Sequence, residues 1–194
     1  MPNRKVSVEK TQALSSSVLG QAVLGLLLTV GASGMALSHE GETHTPATPA
    51  ISSPEAQAAV AVLQRYAAAM TSNDLTKIKP LLVTGNDFSF FEGTYVNIGW
   101  QSYYDHMAPE MKLFEKPNYR LSDIRAYASG DLAYATFSWA MDVTVVSDKF
   151  DGGKHPVSMH GKGTAVLSRI GGDWKIRHLQ TAMASTPRTE TASH

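Results

Sequence analysis

Residues 158–183, SMHGKGTAVLSRIGGDWKIRHLQTAM, read as two long strands joined by a two-residue turn, because a Gly-Gly pair supplies the positive φ that a tight hairpin needs. Pairing Ile170 with Asp173 and counting outward sets Arg169 against Trp174, Leu167 against Ile176 and Ala165 against His178. The face shared by Trp174, Ile176, Leu167 and Ala165 is apolar and is expected to meet the core. By the same count His178 and Gln180 fall on it, with Gly163 opposite Gln180. His160, Lys162, Lys175 and Arg177, with Val166 and Leu179, take the other face.

Upstream, residues 119–128 and 132–146 read as two more strands, with turns at Ser129-Gly130 and Gly152-Gly153. Counting across Ser129-Gly130 groups Ile124, Ala126, Ala133, Ala135 and Phe137, extended by Trp139 and Met141, on a second apolar face. Before these strands the period changes. Ala56, Val60, Leu63, Ala67 and Met70 recur at helical spacing behind Ser52, Ser53, Pro54 and Glu55, which suit a cap, a first turn and the helix dipole. Asp74 caps a short second helix over 75–82, a strand follows at 88–91, and Trp100, Tyr103, Tyr104, Met107 and Met111 mark a third helix that Pro109 is expected to break or bend after Met107. Helices first and an antiparallel sheet after them predict an α+β domain over 54–184, with the helices on one face of the sheet.

The chain opens with Arg4, Lys5 and Lys10, then an uncharged run over 18–37 and the small-residue sequence Ala36-Leu37-Ser38. This is the layout of a signal peptide over 1–38, with cleavage expected after Ser38 and a secreted or periplasmic product. The run is close to the ~20 residues a bilayer needs, but Gln21 and the scattered Ser and Gly favour cleavage over an anchor. Residues 39–53 and 185–194 are rich in Ser, Thr, Ala and Pro and poor in large apolar groups, so a flexible leader and a disordered tail are expected. Seventeen Lys and Arg balance seventeen Asp and Glu with no block of either sign, which points away from nucleic acid and anionic membranes. There is no cysteine, hence no disulfide and no thiolate chemistry.

Polar residues on apolar faces mark candidate chemistry, since a buried polar group needs a partner or a function. Tyr66 lies on the buried stripe of the first helix, and Glu92 alternates in phase with Phe88 and Phe90. A carboxyl in apolar surroundings has its pKa raised into the range of a general acid or base, and a tyrosine hydroxyl can hold a developing oxyanion. His178 and Gln180 complete the group. Each has a plain alternative: Tyr66 a core tyrosine bonded to a carbonyl, Glu92 a turn cap or lysine partner, His178 a satisfied core histidine, and His106 with Glu110 a solvated pair one helical turn apart. The string His39-Glu40-Gly41-Glu42-Thr43-His44 can hold a metal loosely, but its spacing is not a rigid ligand set, and no metal or cofactor is expected in the domain.

Three stretches, taken in order, resemble the nuclear-transport-factor-2-like superfamily, which includes ketosteroid isomerases and SnoaL-like cyclases: LQRYAAAMTSND at 63–74, GWQSYY at 99–104 and GDWKIRH at 172–178. The resemblance covers most of 54–184. It implies a curved sheet wrapped on about three helices as a cone, a pocket at the open end, and often a homodimer through the outer sheet face. Tyr66 then matches the oxyanion tyrosine and Glu92 falls at or next to the proton-moving aspartate, while the isomerase's later-strand acid has no counterpart in 163–167. Trp100, Tyr103, His106, Glu110, Trp139 and Gln180 are the implied pocket residues, and a small, mostly apolar molecule the implied ligand. Isomerisation, cyclisation or hydration is one expected role, and binding of a ligand or protein partner without catalysis is the other.

Overall fold

The computed structural model describes residues 53–184. The expected signal peptide, the expected leader up to residue 52 and the expected tail after 184 lie outside the described residues.

Helix α1 (Pro54–Thr71) starts where expected. Ser53, in extended conformation, accepts a hydrogen bond from the Ala56 amide through its hydroxyl, and Pro54 occupies the first turn. Its inner stripe buries Val60, Leu63, Tyr66 and Met70. Asn73, at φ 54, turns the chain, and its side-chain amide donates to the carbonyls of Met111 (2.8 Å) and Phe114 (3.3 Å). Asn tolerates this left-handed conformation better than most residues, so one residue both ends the helix and ties it to the next layer. Asp74 caps α2 (Leu75–Ile78), and a 3₁₀ turn over Lys79–Leu81 completes the expected second helix.

A short hairpin follows, made of β1 (Ser89–Glu92) and β2 (Tyr95–Ile98), joined across Gly93 at φ 56. Helix α3 (Gly99–Met111) then runs through Pro109 to Met111, which corrects the expected break after Met107. The amide that Pro109 lacks would have reached the carbonyl of Asp105, an exposed residue on the solvent side, so the lost bond is a tolerable one. The remaining strands are β3 (Phe114–Ser129), β4 (Leu132–Val146), β5 (Lys154–Ile170) and β6 (Asp173–Met183).

The six strands lie in the order β2-β1-β6-β5-β4-β3. The sheet is mixed rather than antiparallel, because β1 runs parallel to β6 while every other pair is antiparallel. The intervening α3 and three long strands provide the crossover that a parallel neighbour requires. Strands of this length bend at irregularities. In β3 the register shifts between Glu115 and Asn118 and again between Ser122 and Arg125, with Lys116 and Asp123 at φ 54 and 51. The result is an open, curved sheet wrapped on helices, the α+β cone.

The third irregularity reassigns two candidate residues. The Gly171-Gly172 hairpin pairs Ile170 with Asp173, Arg169 with Trp174 and Leu167 with Ile176 as counted, but the next pair is Val166 with His178. Arg177 is the extra residue of a bulge, and it donates from Nε to the buried Ser168 hydroxyl at 2.8 Å. A one-residue slip sends every later side chain to the opposite face. Leu179, expected outside, is therefore buried in the core with Thr181, whereas His178 and Gln180, expected inside, lie on the outer face.

On the inner face Phe137 and Trp139 of β4 lie across β5 at its two glycines. A Cβ on Gly163 would run into the Phe137 ring, and one on Gly161 would strike the Ala182 carbonyl and sit 2.8 Å from Trp139 Nε1. Absence of side chains there lets two large rings fill the cone floor beneath α1.

Candidate functional site

The residues that converge on the inner face come from α1, α3 and strands β1 to β4. Tyr66 and Tyr103 are buried, and their hydroxyls meet at 3.0 Å, with Tyr103 Oη 4.0 Å from Met70 Sδ. Phe88 and Phe90 pack edge-on to Tyr103 at 5.6 and 5.2 Å. Tyr119 sets its ring edge to Tyr66 at 6.3 Å and stacks on Trp139 at 6.1 Å. Burial, followed by the neighbouring tyrosine and Glu92, holds the Tyr66 hydroxyl well above its ordinary pKa; burial raises Tyr103 and Tyr119 as well. These three are neutral hydrogen-bonding groups across the physiological range.

Glu92 closes β1 on the same side as Phe90, as the alternation predicts, and pairs in register with Thr181. Its neighbours on α3 are His106 and Glu110. His106 Nε2 stands 3.8 Å from Glu92 Oε2 and 3.6 Å from Glu110 Oε1, and the three side chains are 12%, 41% and 23% exposed in the order His106, Glu92, Glu110. Asn97 of β2, buried, sits with Nδ2 2.9 Å from His106 Nδ1, and Ser102 Oγ donates to Asn97 Oδ1 at 3.3 Å. With the amide oxygen occupied by Ser102, Asn97 donates to Nδ1 and the proton of the neutral imidazole belongs on Nε2, facing the carboxylates; this tautomer is assigned from the hydrogen-bond network. The ring is packed between Tyr95 (5.1 Å) and Phe90 (6.3 Å).

The electrostatics follow from this placement. Burial, and next the charge of Glu110, raise the Glu92 pKa, with His106 opposing. The long N–H···O contact to Glu110 raises the His106 pKa, burial lowers it, and the charges of Glu110 and Glu92 add to the rise. The carboxyl and the imidazole are both shifted up, so each holds its proton to higher pH than it would in water.

The remaining candidates lie apart from this cluster. On the outer face His178 Nδ1 is 2.8 Å from Ser89 Oγ, Phe91 meets its ring edge at 5.0 Å, and burial lowers its pKa. Gln180 lines an outer-face hollow of about 630 Å³ with Arg125, Thr136, Ser138, Lys162 and Thr164. Trp100 borders a separate hollow of about 330 Å³ beside Lys79, whose Nζ stands 5.5 Å from the centre of the indole. Neither hollow is lined by Tyr66 or Glu92. Trp139 faces the cone floor, and its Nε1, like the Thr181 hydroxyl, is buried without a hydrogen-bond partner. Sequence reasoning does not single out Asn97, Thr181 or Tyr119. The Gly93-Thr94 turn after Glu92 is the signal that reveals β2 and places Asn97 inside.

A family model described as the SnoaL-like domain matches residues 59–186. The chain belongs to the SnoaL-like domain family. Among solved structures, this SnoaL-like domain is similar to a nuclear-transport-factor-2-like superfamily protein from Salmonella enterica serovar Typhimurium, at 20% identity and a TM-score of 0.59, covering 71% of this chain and 96% of that one. A proposed dehydratase of the same superfamily from Streptomyces avermitilis matches at 19% identity and TM-score 0.58, over 68% of this chain and 97% of its own. A proposed scytalone dehydratase from Novosphingobium aromaticivorans matches at 14% identity and TM-score 0.59, over 68% and 85%. At these identities the likeness establishes the fold. No curated protein matches this chain in sequence.

Proposed function

We propose that this domain, exported by its amino-terminal signal, takes a small, mostly apolar oxygenated molecule at the open end of the cone and moves a proton on it, as a hydratase, dehydratase or isomerase does. One observation carries the proposal: Glu92 and His106 stand 3.8 Å apart beside a layer of buried tyrosines. In the dehydrating direction Glu92 removes the proton α to a carbonyl, a C=C bond forms, and the β-hydroxyl leaves as water with the proton of the His106 imidazolium. The proton on Glu92 then returns to His106, restoring both groups. Two of the structurally similar proteins are named as proposed dehydratases, which supports this reaction class. The test is turnover of a panel of β-hydroxy ketones followed by enone absorbance. Glu92→Gln is expected to lower it at least ~100-fold, the usual scale for loss of a general base, with the melting temperature retained.

A second reading, ligand or partner binding without chemistry, is favoured by one specific observation: Tyr66 is fully enclosed and its hydroxyl is already bonded to Tyr103. Saturable binding of the same ketones without turnover would select it. For assembly, the exposed Tyr127, Leu132 and Tyr134 on the outer sheet face support a homodimer through that face. Tyr134→Arg is expected to shift its sedimentation to that of a monomer.

A further inference from the structure

We propose that Glu92, His106 and Glu110 form a binding site for a divalent first-row cation of the Mn²⁺ or Zn²⁺ class at the mouth of the cone. The separations are the first argument. Contacts of 3.6 and 3.8 Å from Nε2 to the two carboxylates exceed the ~3.2 Å limit of a good N–H···O bond. Two ligand atoms that each lie about 2.0–2.2 Å from one cation are themselves about 2.8–3.6 Å apart at right-angle to tetrahedral geometry. One ligand atom from each residue lies within 4.8 Å of the others, so small side-chain rotations close the set. Direct pairing leaves these three groups too far apart, whereas a shared ion brings them to its bonding distance.

Charge is the second argument. Among the described residues neither Glu92 nor Glu110 pairs with a lysine or arginine; each meets only His106. Two carboxylates that share one imidazole lack positive charge, which a divalent ion supplies.

Preorganisation is the third. His106 and Glu110 are four residues apart on α3 and project from one face, while Glu92 is fixed by β1 between β2 and β6. Asn97, 5% exposed, holds Nδ1 and leaves Nε2 as the ligand atom, and a partner able to accept from the second nitrogen is the support a ligating histidine needs. With the metal on Nε2 and the proton on Nδ1, the Asn97 amide turns so that Oδ1 accepts from His106 and Nδ2 donates to Ser102. Thr181, the register partner of Glu92 on β6, is 6% exposed and its hydroxyl has no hydrogen-bond partner. One imidazole and two carboxylates without a thiolate suit Mn²⁺, Fe²⁺ or Zn²⁺ and do not suit Cu⁺.

The site shares Glu92 with the acid/base proposal, which concerns the metal-free protein, and the two are tested by different readouts. The expressed chain is stripped with EDTA, dialysed and titrated with MnCl₂, and free Mn²⁺ is followed by its electron paramagnetic resonance signal. Uptake of one ion per chain is expected, weakened at least ~10-fold by Asn97→Ala and more by His106→Gln or the near-isosteric Glu110→Gln. Changing the exposed Asp142 to Asn, or both His39 and His44 to Ala, should leave uptake unchanged. Folding of each variant is checked by its melting curve. Absence of saturable uptake, uptake that His106→Gln and Glu110→Gln leave intact, or loss confined to the His39/His44 variant would overturn the site. None of these results alters the ketone assay, and a failed ketone assay leaves the titration readable.

Discussion

Strand β1 meets a histidine on each of its faces, and the two are held alike in different electrostatic surroundings. Ser89 and Phe91 face His178 on the outside; Phe90 and Glu92 lie on the side of His106. Each ring has Nδ1 fixed by a neutral side chain at nearly the same distance, 2.8 Å from Ser89 for His178 and 2.9 Å from Asn97 for His106. The difference lies beyond that hydrogen bond. Two carboxylates crowd Nε2 of His106 and raise its pKa, whereas burial alone acts on His178 and lowers it. A local hydrogen bond orients a histidine; the charges around its other nitrogen decide what it can do.

The strongest way to break this comparison is to exchange the two faces. Inserting one residue between Arg177 and His178 adds a step to the alternation beyond the bulge, turning His178 and Gln180 inward and expelling Leu179, which is 1% exposed. A loss on the order of 3 kcal/mol or more is expected in denaturant unfolding, since a buried leucine is forfeited and polar groups are enclosed without partners. Asn97→Ala should come next, at about 1–3 kcal/mol, because it orphans His106 Nδ1 and the Ser102 hydroxyl in a buried setting. Ser89→Ala, at the half-buried outer histidine, should cost less than about 1 kcal/mol in the same assay.

The smallest effect is also the most discriminating, because its sign differs between the two rings. In metal-free protein the His106 pKa is raised above its ordinary value of 6.5, so its contribution to stability is fully present below that value and is lost as pH rises through the folded-state pKa. The His178 pKa is depressed below 6.5, so its contribution is present above that value and is lost as pH falls through the folded-state pKa. Melting temperatures of His106→Gln and His178→Gln against the unmodified protein, measured between pH 5 and pH 8.5, should therefore diverge in opposite directions. The Glu92 pKa, raised from 4.5, adds a slope of the same sign as His106 at lower pH.

Much of this architecture is legible in the amino-acid sequence. Helical period and caps locate α1, and turn glycines locate the long hairpins because a two-residue loop fixes register by counting. Counting fails where the backbone departs from regularity. Arg177 carries no mark of a bulge, since its own place on the strand is polar either way, and only the burial of Leu179 against β5 reveals the slip. Pro109 misleads in the other direction, because its cost falls on a carbonyl that solvent can reach. The inward placement of Tyr66 and of Glu92 follows from helical spacing and strand alternation alone. His106 and Glu110 are recognisable as neighbours on a helix, but their convergence with Glu92 depends on a four-residue strand, β2, too short for periodicity to report.

The most direct measurement is an NMR titration of the imidazole C–H resonances in EDTA-treated protein, assigned by the two His→Gln variants and repeated in Glu110→Gln. If Glu92, His106 and Glu110 form one electrostatic unit, His106 titrates above 6.5 and His178 below it, and Glu110→Gln lowers the first while leaving the second in place. Coincident midpoints, a reversed order, or a His106 midpoint indifferent to Glu110→Gln would contradict it.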